Sequence, residues 1–263
     1  KLTAHFAISY SLILAGVLQV AFMWFYVSKA RLTFSPSLNF CNDPDVTKLL
    51  KNMGPAAMSS GAQQVNLFVS QSIASFIPGA VSILSYAERL YQLPLAIIGV
   101  TFGTILLPEL SQIYQKKDIT SANNLQNNAI IISLVLSVPA TIGLFVLANP
   151  IIHLIYERGV FVSEDTIKTA NALAAFSLGL PAFVIAKILT PIFYAHGDTK
   201  TPMRITIYSL LVNTFLNIVL MIPFGHVGIA MGSSIAAWYN VGLLNKYAEN
   251  LVACLYSNTL TSS

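Results

Sequence analysis

Residues 82–112 read SILSYAERLYQLPLAIIGVTFGTILLPELSQ, with an adjacent acid and base, Glu88 and Arg89, at the head of nineteen uncharged residues, 90–108. A charge-free run of that length is close to the ~20 residues a helix needs to cross a bilayer. The pattern recurs along the chain: no charge lies between Lys51 and Glu88, between Asp118 and Glu157, or between Arg204 and Lys246. Only 9% of the 263 residues are charged, against roughly 25% in a soluble domain, and the mean hydropathy of +0.70 agrees. The runs are continuous, whereas a β-barrel alternates over ~10-residue segments. The chain therefore reads as an all-α polytopic membrane protein.

About seven transmembrane helices follow from the runs, over 4–27, 53–76, 85–108, 125–148, 169–194, 203–222 and 227–245. The longest charge-free gap, forty-one residues, has to hold two helices, divided at the turn IPFGHVG by Pro223, Gly225 and Gly228. Beyond Lys246 the seventeen remaining residues are too few and too polar for an eighth span. Lys and Arg set the orientation. One set of loops carries Lys29, Arg31, Lys48, Lys51, Lys116, Lys117, Lys200 and Arg204; the alternate set carries Arg158 and Lys168. The first set is read as cytoplasmic, so the span headed by Glu88 begins at the outer face. The chain opens without Met or a signal-peptide pattern and reads as the middle of a longer protein.

Cys41 and Cys254 match no disulfide, zinc or redox spacing. The formal charge of +4 is spread over loops, which suits membrane orientation better than nucleic acid. His5, His153, His196 and His226 sit at span ends or turns without ligand spacing, and no Walker loop or nucleophile elbow appears. An enzyme is not indicated.

Arg89 lies about four residues inside the expected start of its helix, ~6 Å down. Two readings stay open there: an arginine that snorkels to the headgroups or pairs across helices, or one facing a wet cavity that receives an anion, for which its planar fork suits phosphate. Lys187 reads as a cation near the cytoplasmic headgroups. Gly99 and Gly103 form a small face for helix packing. Pro94, Pro139, Pro181 and Pro191 invite kinks, and Thr201 with Pro202 suits a helix start. Asn213 and Asn217 share one helix face, with Ser233 a plausible neighbour. Amides and hydroxyls there glue helices together, or their oxygens hold a hard cation. Gln64 and Asn66 read as further helix glue.

The opening stretch, with MGPAAMSSGAQQVNLFVSQSIASFIPGAVS before it and YERGVF, LAAFSLGLPAFVIAKILTPIFYAHGDTKTPMRI and LNIVLMIPFGHVGIAMGSSIAAW after it, resembles the MurJ (MviN) family of bacterial lipid II flippases. The resemblance implies a fourteen-helix fold of the multidrug/oligosaccharidyl-lipid/polysaccharide exporter superfamily, two six-helix lobes around a cavity plus two helices. It implies that 1–28 is the last helix of the N-terminal lobe, 29–52 a cytoplasmic linker, 53–246 the C-terminal six-helix lobe and 247–263 a tail. Arg89 matches the family's cavity arginine, Glu88 stands where Asp or Glu is common, Ser82 aligns with a cavity-side serine, and Gln92 replaces an acidic residue of some members. Asn213, Asn217, Ile229 and Ser233 align with a sodium site described for part of the family, Asn217 at a position that can be Asp; no other cofactor is implied. The function so implied is flipping of an undecaprenyl-pyrophosphate-linked peptidoglycan precursor across the bacterial inner membrane, with an N-terminal lobe completing the cavity. The rival expectations are another exporter of the superfamily, coupled to cations or carrying a polysaccharide lipid, and a truncated lobe that transports nothing.

Overall fold

The computed structural model describes residues 2–29, 58, 61–116 and 118–261, and all regular structure among them is helical. Contacts divide the chain into two units, Lys1–Leu49 and Leu50–Ser263. Of the residues used to orient the chain, Arg31, Lys48, Lys51 and Lys117 lie outside the described residues, as does most of the expected linker 29–52.

Among the described residues, the first unit holds one helix, α1 (Leu2–Lys29). Its apolar side chains, among them Leu14, Val17 and Phe22, are exposed, as befits a helix whose solvent is lipid. Phe22, Trp24, Phe25 and Tyr26 cluster at its basic end, with Phe22 and Tyr26 in ring contact at 4.7 Å. Such aromatics favour the membrane interface.

The second unit begins with α2 over 61–74. Then come α3 (Ala80–Leu95), a π-helical turn (Ala96–Val100) and α4 (Thr101–Gln115), which run on as one span. α3 starts five residues before the expected 85, so Arg89 lies nine residues, or ~14 Å, down the helix. The helix widens straight after Pro94, whose missing N–H and ring disrupt the α-ladder. Asp118 caps α5 (Ile119–Val146) by accepting from Ser121 N at 3.0 Å and Ser121 Oγ at 2.6 Å. Pro139 sits inside α5 without breaking it. A short helix that the sequence did not announce, α6 (Ala148–Tyr156), leads into the loop before the next helix.

α7 (Ser163–Ser177) and α8 (Leu180–Ala195) are two helices joined at a bend of 42°. Pro181 opens α8 instead of kinking a continuous helix. The carbonyls left at the break are satisfied by α9: Ser234 Oγ donates to Ala175 O at 2.7 Å and Trp238 Nε1 to Leu178 O at 3.0 Å. Side chains of neighbouring helices are the means by which broken helices survive in lipid. Gly179 admits this contact, since a Cβ there would stand 2.7 Å from Ser234 Oγ.

α9 (Lys200–Thr261) turns at Gly225, whose φ of 57° and ψ of −133° are not helical. Gly228 abuts Leu220, Gly232 abuts Asn217, and Asn240 Nδ2 donates to Ser209 Oγ at 2.8 Å. As residue numbers rise on one arm they fall on the other, so the arms are antiparallel, the pair of spans the long uncharged gap required. Asp198 caps the first arm, its Oδ1 accepting from Lys200 N and Thr201 N at 3.1 and 3.0 Å; the expected cap, Thr201, lies inside. The second arm runs on to Thr261 through the expected tail. α8 packs against α4, α5 and α9, and Ile188, Leu189, Ile192 and Phe193 are fully buried.

In the loop after α6, Glu157 accepts from Thr166 Oγ1 at 2.6 Å and Ser163 Oγ at 2.7 Å, and pairs with His153 Nδ1 at 2.7 Å. The Thr166 hydroxyl first, then His153 and Ser163, hold its carboxyl down at about 2. A pKa lowered on folding stabilises the fold above the ordinary carboxylate value near 4.3 and ceases to do so as pH falls through the folded value. Glu157→Gln is expected to lower the melting temperature of the purified protein at pH 7. The gap from wild type should narrow below about pH 4.5 and close near pH 2, as followed by circular dichroism.

Candidate functional site

A cavity of about 680 Å³ runs through the second unit, walled by α2, α3, the π turn, α4, α8 and both arms of α9. Its polar lining includes Gln64, Asn66, Ser70, Glu88, Lys187 and Asn213. Three aromatics shape one wall: Tyr91 stacks on Phe176 and Phe183 with ring centroids 5.0 and 5.6 Å away. This fixes α3 against the bend between α7 and α8. Near its head, Tyr86 contacts Tyr156 at 4.8 Å and Phe161 at 5.6 Å, so the YERGVF loop buttresses the turn before Arg89.

On α3 the cavity face carries Val81, Leu84, Ser85, Glu88, Tyr91 and Leu95, spaced by three and four residues as one helical face requires. Glu88 accepts from Gln92 Nε2 at 3.0 Å. Arg89 and Ser82 stand about 100° round the helix from Glu88. They are exposed and outside the cavity lining, and Gln92 is exposed between the two faces. Glu88 and Arg89 thus look in different directions. Of the sequence candidates for an anion site, only Glu88 lines the cavity itself; the other three occupy its flank and rim.

Asn213, Asn217, Ile229 and Ser233 come together, joined by Ser70 of α2, which sequence reasoning missed. Ser70 Oγ donates to Asn213 Oδ1 at 3.2 Å, Asn213 Nδ2 to Ser233 Oγ at 3.2 Å, and Ser233 Oγ to Ile229 O at 3.1 Å. Asn217 is fully buried. With its amide placed to satisfy both ends, Nδ2 donates to the carbonyls of Ile229 and Asn213 at 3.1 and 3.3 Å. Its Oδ1 then lies 3.0 Å from both Ser70 Oγ and Asn213 Oδ1. The signal for Ser70 was present in its spacing, four residues after Asn66 on the same face. Asn66 Oδ1 is buried and has no protein partner.

The implied sodium ion can be weighed against this donor set. Two amide oxygens, two hydroxyls and a carbonyl suit a hard monovalent cation in kind. No carboxylate is among them, and the described residues contain no group of three or more His, Cys, Asp or Glu.

Gly99 and Gly103 do pack a helix closely, and the helix is α8. A Cβ on Gly103 would stand 2.9 Å from the Lys187 carbonyl oxygen; one on Gly99 would stand 3.5 Å from Lys187 Cγ and Val184 Cα. Lys187 itself lines the cavity, a placement sequence reasoning missed.

Long apolar helices, one pair of them bent, around an internal polar cavity define a multi-pass membrane protein. A family model described as "Lipid II flippase MurJ" matches residues 1–257, and the chain belongs to that family. It is 62% identical over 242 residues to a probable lipid II flippase MurJ of Rickettsia prowazekii (strain Madrid E), covering 92% of this chain and 48% of that one. It is 42% identical over 240 residues to that of Rhizobium tropici, at 91% and 45%. The chain thus spans about half the length of the curated relatives it matches. Among solved structures, the lipid II flippase MurJ in an inward closed conformation superposes with a TM-score of 0.68 at 29% identity, covering 92% of this chain and 54% of that one. A MATE crystal structure in complex with MaL6 superposes at 0.81 with 15% identity, over 94% and 56%, a likeness of fold alone.

The glycine contacts give a graded test. Gly103→Val is expected to cost ~1–3 kcal/mol, the usual range for overpacking, because the neighbour is backbone. Gly99→Ala should cost less, since its nearest neighbour is Leu95 Cδ1 at 3.3 Å. Melting temperatures in detergent check the order.

Proposed function

We propose that this chain supplies one lobe of a lipid II flippase of the bacterial inner membrane, which carries the lipid-linked peptidoglycan precursor by alternating access for cell wall synthesis. The observation that carries the reading is Arg89, exposed ~14 Å down α3 on the flank of a polar cavity. A guanidinium at that depth is costly against lipid. It is at ease facing water, a second lobe and a diphosphate, which its planar fork engages in two parallel hydrogen bonds. Glu88, Ser82 and Gln92 would frame it with polar groups for the sugar–peptide headgroup, while the polyprenyl tail stays in lipid. Rocking of two lobes about such a site exposes it to either side in turn.

A second reading concerns sodium. Ser70 Oγ, Asn213 Oδ1 and Asn217 Oδ1 converge at 3.0–3.2 Å, and with Ile229 O and Ser233 Oγ they would hold the ion. A sodium ion there supplies positive charge that ties α2 to both arms of α9.

Complementation of a flippase-depleted bacterium tests the first reading, with this chain extended to its full upstream reading frame. Rescue is expected, and loss of rescue in Arg89→Ala at equal expression. Rescue that ignores Arg89, or none at all, overturns it. For sodium, wild type is expected to melt higher in sodium chloride than in choline chloride at equal ionic strength, and Asn217→Ala to lose the difference. Equal melting of wild type in the two salts removes the ion.

A further inference from the structure

Residues 147–162 have no place in the reading above, yet they hold the two most exposed large apolar side chains among the described residues, Val160 at 95% and Leu154 at 85%. α6 buries Ala148 and Ile152 and leaves Leu154 outside. Leu147, at the head of the helix, is exposed as well; seven residues from Leu154, it shares that helical face. Beyond the helix, Gly159 turns the chain with φ 66° and Val160 follows.

The fold imposes this exposure. Tyr156 and Phe161 pack on Tyr86 of α3 with ring centroids 4.8 and 5.6 Å away, and Phe161 N donates to Arg158 O at 3.3 Å. Glu157 ties the loop to α7 through Ser163 and Thr166. Phe161 is half-buried between exposed Val160 and Val162, the alternation of an extended strand of chain. A loop braced in this way cannot fold its valines inward, so whatever covers them comes from outside the unit.

Where α6 begins decides what that is. The stretch of α5 over 129–146, AIIISLVLSVPATIGLFV, carries no charge and is ~27 Å long, close to the hydrocarbon thickness of about 30 Å. Ile142, Phe145 and Val146 at its end are exposed, as lipid-facing side chains are. The helix is interrupted at Leu147, with φ −96° and ψ 12°. α6 therefore starts at the hydrocarbon edge, and its exposed face continues that of α5. The charges suit that depth: His153 pairs with Glu157 and Lys168 with Glu164, whereas exposed Arg158 enters no ion pair among the described residues.

We propose that α6 and the loop after it form an anchor in the headgroup boundary of the bilayer, with Leu147, Leu154 and Val160 among the upper acyl chains and Arg158 on lipid phosphate. Short amphipathic helices bind membranes in this way, and an arginine covers apolar surface with its stem while its fork takes phosphate oxygens. Through Tyr156 and Phe161 the anchor holds Tyr86, so the height of α3 is tied to the bilayer surface. The inference does not depend on what the cavity carries.

The test uses the full-length protein in phospholipid nanodiscs, its native cysteines replaced, with a nitroxide on Leu154→Cys or Val160→Cys and on Val135→Cys, a lipid-facing position of α5, as reference. Electron paramagnetic resonance compares collisions with oxygen, which partitions into lipid, and with a nickel chelate, which stays in water. Oxygen is expected to dominate several-fold at Leu154 and Val160, by a smaller margin than at Val135, and Arg158→Glu should shift the Leu154 label toward the chelate. Dominance of the chelate at either position puts the anchor in water and overturns the proposal. Exclusion of both reagents marks cover by protein, either a second copy or the rest of the full-length chain, and overturns it as well. A Leu154 label indifferent to Arg158→Glu removes the phosphate contact. Labelled variants should melt within a few degrees of wild type; early melting at both positions would show the side chains packed within the fold and sink the idea.

Discussion

Hydrocarbon offers no hydrogen bonds, so each backbone or side-chain polar group within the spans must find a partner in the protein or open onto a wet space. Much of the second unit follows from that one constraint. Where α7 and α8 part, Ser234 and Trp238 take up the carbonyls of Ala175 and Leu178. Where Pro94 interrupts the ladder of α3, the helix widens without breaking. Where helices bring amides and hydroxyls into the interior, Ser70, Asn213, Asn217 and Ser233 bond among themselves and to the Ile229 carbonyl. The irregular backbone is thus concentrated around the cavity, leaving regular helix, such as α5, to face lipid.

The same constraint sorts the charges. Glu157, Glu164 and Lys168 are bonded in and just after the loop that precedes α7, where water shares the cost of their charge. Within the spans, Glu88, Arg89 and Lys187 lie on the cavity wall or its flank. A chain so poor in charge thus places these intramembrane ions where solvent can reach them.

Much of this was legible in the sequence, because the signals were local. The spans follow from the length of the uncharged runs, the turn at Gly225 from a gap too long for one helix, and the Gly99–Gly103 contact from a spacing of four. Asn213 and Ser233 were paired correctly because both follow from their distance to that turn. What escaped was set by tertiary packing. The true start of α3 at Ala80 deepens Arg89, and the capping role fell to Asp198 because the chain turns at Gly197, with φ 73°. Ser70 joined the amides from a helix 143 residues away. Lys187 was placed by its depth along the helix alone, whereas its position on the cavity wall comes from the packing of α8 against α4.

The π turn also limits how this span can change over evolutionary time. Residues 96–100 form a wider coil than the helix on either side, and the phase of everything after them depends on it. Losing a single residue there would rotate Thr101–Gln115 by about 100°, swinging Gly103 off the backbone of α8 and replacing it with a bulkier neighbour. Length variation in this lineage should therefore be found in the outer and cytoplasmic loops, and this turn should keep its residue count even where its side chains drift.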